Sequence, residues 1–328
     1  MQLVLFTIAI ALAVSFAATP TARSIAMRFK VIARPGGRHV HSRPTPLWGG
    51  LAVYAGFVVA VLLAIMLDPG LTFDRQTLAI LIAASFIAFI GLLDDKYEFS
   101  ALWQIVAIVA AAGILVAAGI KIQCITDRFH ASRMLALGAF SVPITVIWIF
   151  GVTKTIDLID GLDGLAAGVC SIASMTLILM ALQARAQQPH LAGSFTTVIL
   201  LCSALLGACL GFLRFNYPPA KIFMGTVGAQ FMGFILAAAS IVGAFKMAAL
   251  VAIAVPVLAL GVPIFDAMFV VYRRFANKQP VHVADTGHMH HRLMRRGFSQ
   301  HQAVLLIYGM EFAFCAAALI LFRLSVSR

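Results

Sequence analysis

Ten apolar segments, each about long enough to cross a lipid bilayer, run through this chain of 328 residues. A membrane-spanning helix needs about 20 predominantly apolar residues. Eight of the segments contain no Lys, Arg, Asp or Glu, and the other two contain one acid each, Asp163 and Glu311. The segments cover residues 2–19, 47–67, 76–93, 102–120, 135–153, 161–183, 193–213, 222–245, 247–265 and 303–322. We therefore predict an all-α, polytopic integral membrane protein of about ten transmembrane helices, with residues 1–328 forming a single domain.

Composition excludes several other classes of protein. Hydrophobic residues make up 62% of the chain and charged residues only 11%, against about 25% charged residues in soluble proteins. This excludes a cytosolic enzyme, a secreted disulfide-rich domain and a disordered chain. The apolar segments are continuous rather than alternating, which excludes a transmembrane β-barrel. The five cysteines are an odd number and include no Cys-x-x-Cys pair, so we expect neither a disulfide framework nor a zinc site.

The distribution of Lys and Arg predicts the orientation in the membrane. Loops that follow odd-numbered helices carry about 16 of these residues, and loops that follow even-numbered helices carry about 6. Because Lys and Arg are enriched in cytoplasmic loops, we expect the odd loops in the cytoplasm and both termini outside. We expect the first segment to be retained rather than cleaved as a signal peptide, because its basic residues follow it instead of preceding it.

Most of the polar residues that could carry chemistry fall on the odd loops and hence on one face of the membrane. They are Asp94, Asp95 and Glu98 after the third segment, Asp157, Asp160 and Asp163 after the fifth, Asn216 after the seventh, and Asp285, His288, His290 and His291 after the ninth. Interfacial charge at a helix end is an alternative account of Asp94 and Asp95. A transporter would place its polar residues along a path through the midplane, so crowding on one face favours a surface site.

Three acids spaced every third residue are the strongest local pattern. Asp157, Asp160 and Asp163 would share one face of a helical turn and would repel each other unless a cation lay between them. Gly161 and Gly164, which alternate with them, permit close approach of the backbone.

A basic, histidine-rich segment lies far along the chain from these acids. His288, His290 and His291 precede Arg292, and Arg38 and His41 form a similar patch near the N-terminus. Both patches could bind phosphate oxygens, although basic residues that only set the orientation are the alternative. Magnesium is bound by carboxylates together with substrate phosphates. The acids and the basic patches together therefore predict a divalent cation and phosphorylated substrates.

Several motifs, in order along nearly the whole chain, resemble those of the polyprenyl-phosphate N-acetylhexosamine-1-phosphate transferases, a family related to the phospho-MurNAc-pentapeptide translocases. The motifs are Arg38-His-Val-His41, Gly91-Leu-Leu-Asp-Asp95, Asp157-Leu-Ile-Asp-Gly-Leu-Asp-Gly-Leu-Ala166, Gly211-Phe-Leu-Arg-Phe-Asn216 with Pro219-Ala-Lys-Ile-Phe-Met-Gly225, Pro263-Ile-Phe-Asp266, and His288-Met-His-His-Arg-Leu293. The last motif resembles the N-acetylglucosamine-type branch.

The resemblance implies a reaction in which undecaprenyl phosphate attacks the β-phosphate of a UDP-N-acetylhexosamine, UDP-N-acetylglucosamine first, and UMP leaves. It implies an enzyme of the bacterial inner membrane that acts at the cytoplasmic face in the first membrane step of cell-envelope glycan synthesis. Mg²⁺, with Mn²⁺ as an alternative, would be the cofactor and a homodimer the family precedent, and no nucleic acid is expected as a partner.

The resemblance also implies roles for residues. Asp94 would be the base or the acid that faces the lipid phosphate, and Asp95, Asp160 and Asp163 would complete the catalytic group. The implied metal ligands are Asp95, Asp157, Asp160 and Asp163. The implied substrate-binding residues are Lys154, Asn216, His288, His290, His291, Arg292, Arg38 and His41.

Several positions depart from the family pattern, and three of them bear on the metal and its charge. Thr226 stands where the family has a magnesium-binding Asp, and Lys154 and Asp157 stand where Asn is usual. One hypothesis is that Asp157 compensates for the carboxylate missing at position 226 while Lys154 neutralises charge. The alternative is a divergent paralogue that binds lipid phosphate or nucleotide without turnover. No role is predicted for Glu311.

Overall fold

Helices account for nearly all of the computed structural model, which describes residues 1–33, 44–126, 134–243, 256–278 and 287–326. The helices are α1 (Gln2–Arg28), α2 (Gly50–Leu67), α3 (Arg75–Tyr97), α4 (Ala101–Ala117), α5 (Ser141–Ile159), α6 (Leu165–Gln187), α7 (Ala192–Asn216), α8 (Gly225–Val242), α9 (Gly261–Ala276), α10 (Met289–Arg295) and α11 (Gln300–Val326). Short 3₁₀ turns at Gly138–Phe140 and Pro189–Leu191 precede α5 and α7. The prediction of an all-α polytopic membrane protein is confirmed.

Within the described ranges, eight helices are long and apolar enough to span a membrane, and α4 is a shorter apolar helix. These nine correspond to nine of the ten predicted segments. The first nine residues of the remaining segment, 247–255, lie outside the described residues. Its last residues belong to α9, whose buried positions Val262, Asp266, Val270 and Arg274 recur every four residues. Asp266 therefore lies in the second turn of α9.

Helices α6, α7 and α8 form the centre of the bundle, while α1 and α11 are the least buried of the spanning helices. Small residues allow close packing between these helices. At Gly211 of α7, a Cβ atom would lie 3.0 Å from the main-chain nitrogen of Phe16 in α1. The hydroxyl of Ser15 donates to the carbonyl of Ala208 at 2.8 Å. The hydroxyl of Ser15 thus has its partner on the neighbouring helix.

Two small antiparallel pairs of strands lie in the connections. Strand β1 (Ile32–Ala33) pairs with β2 (Thr45–Pro46), and β3 (Cys124–Thr126) pairs with β4 (Met134–Ala136). The carbonyl of Pro46 accepts a hydrogen bond from the main-chain nitrogen of Phe223 at 2.9 Å. This contact ties the segment that enters α2 to the loop that enters α8.

Six helix ends meet at one end of the bundle. Helices α3, α5 and α7 finish there, and α6, α8 and α10 begin there. Gly164 and Gly225 have φ values of +76° and +74° at the starts of α6 and α8, a conformation that side-chain-bearing residues rarely adopt. The predicted polar residues are therefore carried by helix ends and tight turns rather than by long loops.

Candidate active site

A polar cavity of about 530 Å³ lies where these helix ends meet. Acids, amides, histidines and one threonine from seven different segments line it. They are Asp95, Gln104, Asp157, Asp160, Asp163, Asn216, Thr226, His288, His290, His291 and Gln300. Eight of the predicted site residues thus converge although they are separated by up to 196 positions in the chain.

Asp95 closes the N-terminal end of α8. Its carboxylate accepts hydrogen bonds from the main-chain nitrogens of Thr226 at 2.7 Å and Val227 at 3.4 Å. These N–H groups belong to the first turn of the helix, where they have no helical partner and favour a negative charge. Thr226, the residue that departs from the family pattern, thus contributes its main chain to holding Asp95, and its side chain lines the cavity.

Asp94 lies behind the cavity wall. It is buried and does not line the cavity. Its two carboxylate oxygens both accept from the side-chain nitrogen of Gln104 at 3.0 Å, and one also accepts from the main chain of Phe99 at 2.9 Å. Asp94 therefore fastens the end of α3 to α4. Its role as a base stays a prediction, because in this geometry Asp94 contacts the lining residue Gln104 but does not itself face the cavity.

Gln104 connects Asp94 to a second charged pair. Its side-chain oxygen accepts from the Nζ of Lys154 at 2.8 Å, and Lys154 forms an ion pair with Asp157. The amide of Gln230 lies 3.4 Å from the same Asp157 oxygen. Lys154 and Asp157, which both differ from the residues usual in the family, are therefore neighbours whose opposite charges neutralise each other. Sequence reasoning missed Gln104, although a lone amide inside the apolar segment 102–120 was a signal of a buried partner.

The acid loop, residues 160–164, joins α5 to α6 and is held in place by hydrogen bonds with residues at and after the end of α7. Asp163 accepts from the main-chain nitrogen of Ala220 at 2.8 Å. The side-chain oxygen of Asn216 accepts from Gly164 N at 3.0 Å, and its nitrogen donates to the carbonyl of Ile222 at 2.9 Å. Asn216 therefore joins two loops, in addition to lining the cavity as predicted.

Asp160 differs from the other acids of the cavity, because no hydrogen-bond donor to it lies in the described part of the chain. Burial raises the pKa of Asp160 well above its usual value, and the nearby charges of Asp157, Asp95 and Asp163 raise it further. The ionised carboxylate of Asp160 is thus the charge that most needs a bound cation.

The histidine arm, residues 287–293, lines the cavity with His288, His290 and His291. Asp266 of α9 accepts from Nδ1 of His288 at 2.8 Å and from the main-chain nitrogen of Met289 at 2.7 Å. The rings of His288 and His290 are nearly parallel with their centroids 5.8 Å apart. Asp266 therefore both orients a histidine and caps α10.

His290 is the most enclosed of the three histidines. It lies against Gly161 of the acid loop, where any side chain would overlap its ring. Burial first, and then the neighbouring His291 and His288, together lower the pKa of His290 to about 3. His290 is therefore a neutral imidazole at pH 7, with one nitrogen that donates and one that accepts.

Of the predicted substrate-binding residues that the structure describes, Arg292 and Lys154 do not line the cavity. The guanidinium of Arg292 lies over the ring of Phe269, 4.5 Å from its centroid, because α10 packs that side chain against α9. Arg38 and His41 lie outside the described residues. Lys154 stands beside the cavity and contacts it through Asp157 and Gln104.

The acids fit a magnesium ion that is shared with a substrate. Among the residues that the structure describes, no three His, Cys, Asp or Glu side chains form a ready-made metal site. Mg²⁺ does not need one, because proteins usually bind it through one or two carboxylates plus phosphates and water. Asp160 has a carboxylate without a donor, and Asp95, Asp157 and Asp163 line the same cavity. A zinc site, with three or four protein ligands, is not favoured.

The contact between Lys154 and Asp157 predicts energetic coupling. Replacing either one alone, by Lys154→Asn or Asp157→Asn, leaves a partly buried charge without its partner and should lower the free energy of unfolding by about 1–2 kcal/mol. The double substitution removes both charges and should lose less than the sum, with a coupling of about 1 kcal/mol. Denaturant unfolding of the four proteins measures this coupling, and additive losses would show that the pair contributes nothing.

Comparisons with known proteins agree with this geometry. The chain is 38% identical over 303 residues, 92% of its length and 80% of the relative's, to a probable undecaprenyl-phosphate N-acetylglucosaminyl 1-phosphate transferase of Bacillus subtilis. It is 33% identical over 330 residues, 94% of its length and 82% of the relative's, to a decaprenyl-phosphate N-acetylglucosaminephosphotransferase of Mycobacterium leprae. A phospho-N-acetylmuramoyl-pentapeptide-transferase of Rubrobacter xylanophilus is 28% identical over 345 residues, 97% of this chain and 98% of that one.

The family model described as glycosyl transferase family 4 matches residues 77–244, which include the ends of α3, α5 and α7 and the start of α8. The resemblance seen in the motifs is thus confirmed by the comparisons and by the convergence of the motifs on one cavity. The chain belongs to glycosyl transferase family 4, the family of the polyprenyl-phosphate N-acetylhexosamine-1-phosphate transferases.

Proposed function

We propose that this chain transfers N-acetylglucosamine 1-phosphate from UDP-N-acetylglucosamine to undecaprenyl phosphate and releases UMP, in the first membrane step of cell-envelope glycan synthesis. The observation that carries the proposal is a polar cavity that is lined by both acids and histidines at the end of an apolar bundle. The relatives, whose names describe transferases that act on undecaprenyl or decaprenyl phosphate, support the same reaction.

The chemistry requires positioning more than proton transfer. An oxygen of the lipid phosphate forms a bond to the β-phosphorus of the sugar nucleotide, and the bond from that phosphorus to the bridging oxygen breaks to leave UMP. A phosphate monoester has a second pKa of about 6, so the attacking group is already largely ionised at pH 7. No base is needed to activate it, which agrees with an Asp94 that is fully occupied by Gln104 and Phe99.

The residues of the cavity supply charge and hydrogen bonds to the two phosphorylated substrates. Mg²⁺, with Mn²⁺ as a substitute, would neutralise the diphosphate when held by Asp160 with Asp157, Asp163 or Asp95. The neutral His290 presents a donor without adding a cation, and His288, fixed by Asp266, lies beside it. Lys154, paired with Asp157, places a positive charge next to the acids.

An apolar groove supplies a place for the lipid chain. It has a volume of about 690 Å³ and lies between α5 and α9, where Trp148, Gly151, Met268 and Tyr272 are among its lining residues. Helix α5 leads from this groove to Asp160, and α9 carries Asp266, which holds the histidine arm. A polyprenyl tail in the groove would therefore place its phosphate near the cavity.

The orientation and assembly are part of the proposal. The excess of Lys and Arg in the odd loops supports a cavity that faces the cytoplasm, where sugar nucleotides are made, and termini on the outside of the bacterial inner membrane. A homodimer follows the family precedent.

A second candidate, a paralogue that binds without turnover, is favoured by one observation. Thr226 supplies a main-chain N–H to Asp95 where the family motif has a carboxylate for the metal. A neutral hydroxyl is a poor ligand for a hard cation. Compensation by Asp157 would have to work although Lys154 already neutralises that acid.

Incubation of the purified protein with undecaprenyl phosphate, MgCl₂ and a panel of UDP-sugars separates the two candidates. We expect UMP release with UDP-N-acetylglucosamine that is abolished by EDTA and restored by Mg²⁺ or Mn²⁺. The Asp157→Asn variant should release UMP at least about tenfold more slowly if Asp157 replaces the missing carboxylate. Nucleotide binding without UMP under any divalent metal would favour the paralogue, and an unimpaired Asp157→Asn variant would end the compensation hypothesis.

The groove gives a separate prediction. A Cβ atom at Gly151 meets open space, so Gly151→Leu should fill part of the groove without disturbing the fold. We expect the KM for undecaprenyl phosphate to rise about tenfold while the KM for the sugar nucleotide stays the same. Gly113→Leu on α4 is the matched control, because that position is also open but does not line the groove. Equal effects of the two substitutions on the lipid KM would contradict this site.

A further inference from the structure

Helix α11 turns two polar side chains into the bundle. Tyr308 and Glu311 are three residues apart, so they lie on the same face of the helix. Glu311 is completely buried, and Tyr308 is half-buried. Neither side chain lines the cavity, and α11 lies outside the residues that match the family model. Burying a carboxylate or a hydroxyl destabilises the protein unless the group is hydrogen-bonded. The hydrogen-bond partners of these two side chains therefore indicate what the side chains do.

Tyr308 holds the C-terminal end of the acid loop. Its hydroxyl donates to the carbonyl of Gly164 at 2.6 Å. Its ring lies against Gly168, where a Cβ atom would overlap it. The N–H of Gly164 is already held by Asn216 at 3.0 Å. Side chains from α7 and α11 therefore bind both polar main-chain groups of the last acid-loop residue, and the carbonyl of Gly164 also accepts from the main-chain nitrogen of Gly168 at 3.0 Å.

Glu311 holds the start of the helix that supports the histidine arm. Its carboxylate accepts from the main-chain nitrogen of Val262 at 2.8 Å. Val262 is the second residue of α9, where main-chain N–H groups lack helical partners. Asp266, one turn further along α9, binds both His288 and the main chain of Met289. A displacement of α9 would therefore move the histidine arm with it.

We propose that Tyr308 and Glu311 are positioning residues that set the position of the acid loop relative to the histidine arm, which meets that loop where His290 lies against Gly161. The proposal rests on the proposed transfer reaction. One rigid helix contacts both halves of the site, one turn apart, so the halves cannot shift independently without breaking a contact to α11. Reaction between two bound phosphates depends steeply on such alignment.

Amide hydrogen exchange tests the two contacts separately and does not depend on activity. Tyr308→Phe keeps the ring on Gly168 and removes only the hydroxyl, so exchange should accelerate several-fold in residues 160–168 and stay unchanged in residues 287–293. Tyr54→Phe is the matched control, since it removes a hydroxyl that donates to Ser85 between α2 and α3 at 2.9 Å. Exchange in the acid loop that is the same for both variants would overturn the proposal.

Glu311→Leu should give the opposite pattern. Exchange should accelerate in residues 261–266 and 287–293 but not in the acid loop, and Glu311→Gln, which keeps an acceptor oxygen, should restore the parent pattern. If Glu311→Leu does not fold, Glu311→Asp, whose reach is one methylene shorter, takes its place with the same expected pattern. Uniform acceleration throughout the chain in these variants would show a general structural role and overturn the proposal.

Steady-state kinetics then link the contacts to the reaction. Tyr308→Phe should lower kcat about tenfold with the KM values changed less than about twofold, whereas Tyr54→Phe should match the parent. Glu311→Gln should recover most of the activity lost in the Leu or Asp variant. A parent protein that releases no UMP would refute the proposed function, and the exchange patterns would still decide the positioning roles. Unchanged kcat in Tyr308→Phe would refute the positioning role.

Discussion

Hydrogen bonding of buried and partly buried carboxylates to main-chain N–H groups of distant segments is the interaction on which this structure depends. Asp95 binds the first turn of α8, Asp163 the loop before it, and Asp266 the start of α10. A carboxylate removed from water is strongly destabilising without such donors, and helix starts supply them without an opposing charge. Each acid therefore fastens one helix end to another, and the cavity is the space that these fastened ends enclose.

Asp160 is the exception among these acids, and the proposed function depends on it. It lies among Asp95, Asp157 and Asp163, and in the described part of the chain no donor offsets its charge. An acid in that position lowers the stability of the protein without a cation and raises the stability of the protein with a cation bound. We propose magnesium with a diphosphate as the ligand of this arrangement, and we propose the apolar groove beside α5 as the site of a second substrate that arrives from the bilayer.

The sequence predicts the fold and the membership of the site well, but not the contacts that build the site. Apolar segments predict the helices, and motif residues such as Asp160 and His290 do meet in one cavity. The charge of Arg292 suggested phosphate binding, yet its guanidinium stacks on Phe269. Gln104 is a lone polar residue in an apolar segment, so its burial could be inferred but not its partners. Partner choice depends on how each helix is rotated about its axis, which apolar length and composition do not determine.

Thermal unfolding of the parent and of Asp160→Asn, with and without MgCl₂ plus UDP-N-acetylglucosamine, tests the central claim most directly. The account predicts that the Asn variant is more stable than the parent without ligands, because the substitution removes repulsion from Asp95, Asp157 and Asp163. It also predicts that the ligands raise the unfolding temperature of the parent only. An Asn variant that is less stable than the parent and is still stabilised by the ligands would contradict the account.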